Sequence, residues 1–334
     1  MLKRLGMIAV GMAVAANFAF AGTLINGAGS TFVYPAMTKW FDVYAQAHPD
    51  VQFNYQAIGS GGGIKQVSSK TVDFGATDGP MTPEQMGEAP GRIYHIPVVM
   101  GAVAVAYNLP GVSKGLKLTP DVLADMFLGK ITTWNDSRIA SANPGITLPG
   151  DAIVIAHRSD GSGTSFIFTD YLSSVSPEWK SKVGKGTAVN WPVGLGGKGN
   201  EGVAGILKQT EGAIGYVELA YAVRNNLAYA DLQNQSGSFI EPTIESTSKA
   251  AEGVAMPADL RVSIVNSSNP QAYPIVGFSW MLIYKEMGGT KGQQIKDFVK
   301  WAVHEGQQYT ADMLYAPLPS DVVNMIDKKL DQVK

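Results

Sequence analysis

Apolar positions along this chain fall into short runs closed by turn-forming clusters, with helical spacing between many of them. Leu24-Ile25 leads into a Gly-rich turn, then a stretch where Trp40, Phe41 and Tyr44 share one helical face. Val51 to Tyr55 reads as a strand, followed by Gly61-Gly62-Gly63 and a short helix near Ile64 to Ser69. Val72 to Ala76 is a strand, and Thr82-Pro83-Glu84-Gln85 starts a helix with a capping-box pattern and a proline in its first turn. Ile93 to Pro97 and Val98 to Tyr107 are strands, and a helix runs from Pro120 through Phe127. Beyond it come a strand at Ala152 to Ala156, a helix at Ser162 to Val175 and a helix at Asn200 to Lys208. A strand at Ala213 to Val217, a helix at Glu218 to Arg224 and a long apolar strand at Val276 to Tyr284 follow. Helices near Gln293 to His304 and Ser320 to Leu330 end the chain. Alternation of this kind predicts an α/β protein with mostly parallel sheets.

The first residues break that pattern. Lys3 and Arg4 precede an apolar run from Leu5 to Phe20, and Ala19-Phe20-Ala21 is an A-x-A cleavage signature. Together they predict an export signal over residues 1–21 rather than a membrane anchor, for which the run is short. The longest later apolar run, Ile96 to Tyr107, suits buried strands better than a span. The whole chain has 334 residues, enough for about two domains at roughly 150 residues each. With 45% apolar and 16% charged residues it is neither disordered nor a long solvated coiled coil. It has no cysteine, which removes disulfides, thiolate metal sites, a cysteine nucleophile and a lipid-modified N-terminal cysteine. Without Lys3 and Arg4 the count falls from 26 to 24 basic residues against 28 acidic ones. A net acidic chain has no general pull toward nucleic acid or an anionic membrane, so any anion must be held by a local site.

Candidate chemistry collects in four turns, each where a strand hands over to a loop or helix. Gly27-Ala28-Gly29-Ser30-Thr31-Phe32 offers hydroxyls and free amides ahead of a helix, whose N-terminus attracts anions. Gly59-Ser60-Gly61-Gly62-Gly63 repeats the arrangement. Ala76-Thr77-Asp78-Gly79-Pro80 puts a carboxylate at the end of an apolar strand. Taken singly, these three also fit plain helix caps and an Asx-turn. Arg158-Ser159-Asp160-Gly161-Ser162-Gly163-Thr164-Ser165 is the densest: a guanidinium, hydroxyls and amides at a helix start, with Asp160 spaced to hold Arg158. The planar guanidinium fork suits oxyanions. Other motifs fail. Gly194, Gly196 and Gly199 satisfy G-x-G-x-x-G, but no clear strand feeds them, so a turn-rich loop is expected. No P-loop or nucleophile elbow occurs, and His48, His95, His157 and His304 are scattered, so neither metal ligation nor a serine triad is expected.

Side by side, Gly27 to Phe32, Ile58 to Lys65, Val72 to Asp78 and Asp160 to Phe168 resemble the periplasmic phosphate-binding receptors of bacterial high-affinity ABC phosphate uptake. Asn190 to Gly199 and Gly212 to Glu218 match as well, in the same order along the chain. The resemblance implies a two-lobed, type II-like clamshell of mixed and parallel sheets flanked by helices. One lobe would hold residues 22–104 plus 270–334 and the other 105–269, with Val98 to Tyr107 and Val276 to Tyr284 crossing between them. It implies a monomeric, non-enzymatic receptor without cofactor or metal, delivering inorganic phosphate to the permease subunits and ATPase of an importer.

The resemblance also assigns roles. Ser30, Thr31 and Phe32 would bind through amides and the threonine hydroxyl. Ser30 stands where an alanine is common, a change expected to matter little. Ser60 would donate its hydroxyl, although Gly61 stands where some members have a second serine. Asp78 would accept, Arg158 would contact the anion with Asp160 behind it, and Ser162, Gly163 and Thr164 would donate from the helix start. His157 would be peripheral. An acceptor carboxylate can discriminate because phosphate near neutral pH still has a proton to give and sulfate has none. At about 4 Å and an effective dielectric of ~20 the repulsion on sulfate is roughly 4 kcal/mol per charge pair. The lost charged hydrogen bond adds about 1.5–3 kcal/mol. The rival readings are a receptor for sulfate or molybdate, a secreted phosphoesterase using Ser162 or Thr164, and a surface protein acting in adhesion or scavenging.

Overall fold

A computed structural model describes residues 22–334. The predicted export signal lies outside the described residues. Twelve strands occur in chain order: β1 Thr23–Gly29, β2 Val51–Ala57, β3 Phe74–Thr77, β4 Ile93–Asn108, β5 Lys117–Leu118, β6 Val154–Arg158, β7 Leu195–Gly197, β8 Ala213–Glu218, β9 Ala228–Tyr229, β10 Asp231–Gln233, β11 Phe239–Ile240 and β12 Val276–Tyr284. Nine share one sheet in the order β2-β1-β3-β12-β4-β8-β6-β7, with β9 also on β4; β11-β10-β5 form a small second sheet. Helices cover both flanks, the two-lobed α/β class expected.

The sheet is mixed rather than mostly parallel. β2-β1-β3 and β8-β6-β7 are parallel blocks, and between them β12 and β4 run antiparallel to their neighbours. β4 joins the halves. Ile93 to Ala102 pair with β12, and Val103 to Asn108 pair with β8. The chain returns at Ile275, whose carbonyl accepts from the Val103 amide, so β12 lies wholly on the first half and the return crossing precedes it.

The two strands expected at Ile93–Pro97 and Val98–Tyr107 are one, of sixteen residues, buried throughout except Asn108. The apparent break is a bulge: Trp280 pairs with Pro97 and Ser279 with Val99, leaving Val98 unmatched. Proline lacks the ladder N–H, and a bulge absorbs that loss. Gln307 donates its side-chain amide to the Val98 carbonyl at 3.0 Å.

Large aromatics anchor the core without stranding their polar atoms. The buried indoles of Trp40, Trp134 and Trp179 donate to the carbonyls of Gly306, Gly212 and Gly184 at 2.8, 3.0 and 2.9 Å. A smaller cluster of Ala28, Ile64, Val67, Val72, Leu282 and Tyr284 seats the helix Ser60–Ser68 against the first half. The predicted capping box holds: Thr82 Oγ1 accepts from the Gln85 amide and the Gln85 side chain accepts from the Thr82 amide.

Candidate functional site

Parallel strands place their following turns along one sheet edge, the usual ligand position in open α/β sheets. β1, β2 and β3 end together, so Ser30 to Phe32, Ser60 and Asp78 converge. Gly63 allows the close approach of the middle turn's helix: a Cβ there would lie 2.5 Å from Gly29 Cα and 2.8 Å from the Ala76 carbonyl oxygen. On the second half Arg158 ends β6, and the helix Gly163–Val175 starts five residues on, with Ser162 Oγ accepting from the Ser165 amide as its cap.

The two groups of turns meet. The Gly61 amide donates to the Gly161 carbonyl at 2.9 Å, and the Gly163 amide donates to Ser60 Oγ at 3.0 Å. Gly163 is a tight point, since a Cβ there would sit 2.4 Å from Asp78 Oδ2 and 2.6 Å from the Asp78 amide nitrogen. Ser30, Thr31, Phe32, Ser60, Asp78, Arg158, Ser162, Gly163 and Thr164 are all buried. The residues named from sequence thus form one constellation.

Its electrostatics are uneven. Arg158 donates from Nε to Asp160 Oδ1 at 2.8 Å and from Nη2 to Asp160 Oδ2 at 2.5 Å, a bidentate pair, and from Nη1 to Thr164 Oγ1 at 3.2 Å. Burial opposes the Asp160 charge, yet the Arg158 guanidinium and the Gly199 amide hold its carboxyl below the usual range. Asp78 behaves oppositely. Burial pushes it up to about 6, against hydroxyls from Ser279, Ser30 and Ser60 and the more distant Arg158, all of which favour the ionised form. Ser30 Oγ donates to Asp78 Oδ2 at 2.5 Å, Ser60 Oγ to the same oxygen at 3.3 Å, and Ser279 Oγ to Oδ1.

Three details depart from expectation. Ser30 is not a passive stand-in for alanine: besides bonding Asp78, its Oγ accepts from the Phe32 amide at 2.9 Å, the amide that the resemblance gives to the anion. The Ser162 amide is committed to the Thr187 carbonyl at 2.7 Å, so this residue has only its hydroxyl proton to give. The glycines around Gly194 to Gly199 are not a plain loop. β7 feeds them and the helix Gly199–Gln209 follows, with Gly199 donating to Asp160 Oδ1 at 3.0 Å. The strand escaped notice because it has three residues and exposes Leu195.

Sequence reasoning missed two residues. Asn200, first turn of that helix, donates from Nδ2 to Thr31 Oγ1 at 2.8 Å and to Thr164 Oγ1 at 3.3 Å, tying the halves together. Ser279 was visible as the lone serine in a fully buried strand. His157 stacks on Trp191 with ring centroids 4.9 Å apart, away from the cluster. Among the described residues no group of three or more His, Cys, Asp or Glu could hold a metal ion. The hydrogen-bond partners of the Ser162 and Thr164 hydroxyls are the Ser165 amide, Arg158 and Asn200, so no base activates either as a nucleophile.

A family model described as a PBP superfamily domain matches residues 16–305. The chain is 44% identical over 307 residues to the phosphate-binding protein PstS of Xylella fastidiosa strain 9a5c, covering 91% of this chain and 84% of that one. It is 42% identical over 330 residues to PstS of Pasteurella multocida, covering 98% and 95%. Among solved structures it shares its fold with the phosphate-binding protein from Stenotrophomonas maltophilia, with TM-score 0.65, 18% identity and coverage of 92% and 93%. It also shares the fold of an ABC-type phosphate transport receptor from Vibrio cholerae, with TM-score 0.58, 17% identity and coverage of 88% and 100%. On the identity and coverage of these relatives, the chain belongs to the PstS family of phosphate-binding proteins.

Proposed function

We propose that the chain is an extracytoplasmic receptor that holds one inorganic phosphate in the cleft between its halves and delivers it to an ABC importer. One observation carries this: a buried acceptor, Asp78, faces a buried cation, Arg158, within a shell of hydroxyls and helix-start amides drawn from both halves. The relatives named phosphate-binding proteins support the ligand, and the receptor named for ABC transport supports the delivery step. Binding without a reaction suits hydroxyls that no base activates.

In this reading Thr31, Ser60, Thr164 and the Ser162 hydroxyl donate to the anion, together with the Phe32 and Gly163 amides, which exchange their Ser30 and Ser60 partners for it. Arg158 supplies the cation with Asp160 behind it, Asp78 accepts the ligand's proton, and Ser30 contributes to the first loop. The lobes are residues 22–104 with 270–334, and 105–269. The partner changes at Ala102/Val103 and Ile275/Val276 support those boundaries to within a few residues. The permease subunits with their ATPase are the partners, the receptor acts as a monomer, and residues 1–21 direct export to the periplasm. No helix among the described residues is long and apolar enough to cross a membrane.

Titration calorimetry on the phosphate-depleted protein tests the reading. Phosphate is expected to bind far more tightly than sulfate, with arsenate, a proton-bearing tetrahedral anion, behaving like phosphate. Equal affinity for sulfate and phosphate would overturn it. Sequencing of the exported protein is expected to begin at Gly22.

A further inference from the structure

Asp78 stands on a wall between two environments. On one side are the hydroxyls and amides of the cleft. On the other is a cavity of about 170 Å³ lined largely by apolar side chains, among them Phe166, Ile167, Val276, Phe278 and Trp280. No solvent reaches the carboxylate, which is 1% exposed. A carboxylate there must find its solvation in the protein, and hydroxyls supply much of it. Ser60, on the same half, is also shared with the Gly163 amide of the other half. Ser30 and Ser279 are not: both lie on the same half as Asp78, at the end of β1 and within β12.

The other ionisable groups around Asp78 do not take over this work: of those lining the cavity, Lys185 is paired with Asp170 and Arg261 with Asp259. Arg158, on β6, is committed to Asp160. Tyr55 on β2, partly buried, and Tyr315, fully buried, are phenols pushed well above their ordinary range by burial, so they are neutral. Glu218, ending β8, is also pushed well above its ordinary range by burial.

We propose that Ser30, with Ser279, is a positioning residue for Asp78: its hydroxyl keeps the carboxylate oriented and ionised, so that selection for a proton-bearing tetrahedral anion persists to lower pH than an alanine would allow. This rests on the phosphate reading above and adds what sustains it. Ser30 then sets the acid limit of the receptor's selectivity. It does so through one oxygen that links the Phe32 amide to Asp78, while its own amide is held by the Ala76 carbonyl.

The test is calorimetric titration of the mature full chain with inorganic phosphate and with sulfate from pH 5.5 to 8.5, for the parent, Ser30→Ala, Ser30→Thr and Ser279→Ala. The parent's phosphate-over-sulfate ratio is expected to fall as pH drops through about 6. In Ser30→Ala the same fall should be displaced upward by about one pH unit, lowering the ratio about threefold near pH 6.5, approaching tenfold toward pH 5.5 and least at the alkaline end. Ser279→Ala should shift it in the same direction, and Ser30→Thr should return it toward the parent. Ionisation of phosphate itself is common to all variants and cancels in the comparison. Superimposable pH profiles for parent and Ser30→Ala would overturn the proposal. So would a uniform loss of phosphate affinity at every pH, which marks Ser30 as an ordinary ligand contact. A parent that binds no phosphate is a separate failure, that of the receptor reading.

Discussion

On the wall of the cleft that carries Arg158, charge is matched before any ligand arrives: a bidentate carboxylate, a glycine amide behind that carboxylate and a threonine hydroxyl surround the guanidinium. On the wall that carries Asp78, only neutral hydroxyls bond the carboxylate, Arg158 acts on it through space, and burial raises the carboxyl to about 6. Both groups sit where a strand ends and both are almost inaccessible to solvent. Under the proposed function the difference lies in what each must do. A cation that attracts every oxyanion gains from being rigid and permanently charged. An acceptor that inspects the ligand for a proton must be ionised yet not neutralised by a partner, since a partnered carboxylate would not repel an unprotonated anion. Attraction on one wall and discrimination on the other demand different surroundings for opposite charges.

Removing the matched charge should have the largest effect. Arg158→Ala leaves Asp160 without its cation, with the Gly199 amide still bonded to it, and is expected to weaken phosphate by about 2–5 kcal/mol, with the fold retained by circular dichroism. An unchanged Kd would move the binding site elsewhere. Asp78→Asn addresses the other wall: the phosphate-over-sulfate ratio should fall by at least tenfold, about 1.5–3 kcal/mol for the charged hydrogen bond alone. A ratio equal to the parent's would remove the discriminating role from that carboxylate.

The raised carboxyl makes a thermodynamic prediction of definite sign. Asp78 holds its proton up to about 6 in the folded chain, against an ordinary 3.8. Between those values the native state binds more protons than the unfolded one. Its contribution is therefore greatest below the lower value and is lost as pH rises through the upper one. The cost of ionising it is on the order of 3 kcal/mol. Calorimetric melting of phosphate-free protein should show this decline from pH 4 to 7 for the parent and its absence in Asp78→Asn; parallel profiles would refute it. The smallest effect concerns the contact between the walls. Gly163→Ala puts a methyl against Asp78 and should weaken phosphate by about 1–3 kcal/mol, with a larger radius in small-angle scattering of the phosphate-saturated variant than of the parent.

The four turns were legible because strand–turn–helix junctions rich in glycine and hydroxyls are local features, and their order along the chain carried the family resemblance. The capping box at Thr82 and the helix Ser320–Leu330 were legible for the same reason. The bulge at Val98 was hidden because Pro97 in isolation reads as a strand end. Only the partner strand turns the break into an offset of one residue. Asn200 gave no local signal: its contacts to Thr31 and Thr164 span 169 and 36 residues.

What the residues determined by themselves is the alternation of strands and helices and the chemistry at their junctions, because both depend on neighbours a few positions apart. Tertiary structure alone decided that β4 changes partners midway, that Ser279 reaches Asp78 across 201 residues, and that Ser30 bonds a carboxylate. Those outcomes depend on which buried polar atoms are brought face to face. A hydroxyl finds its partner only after the sheet has closed and water has been excluded.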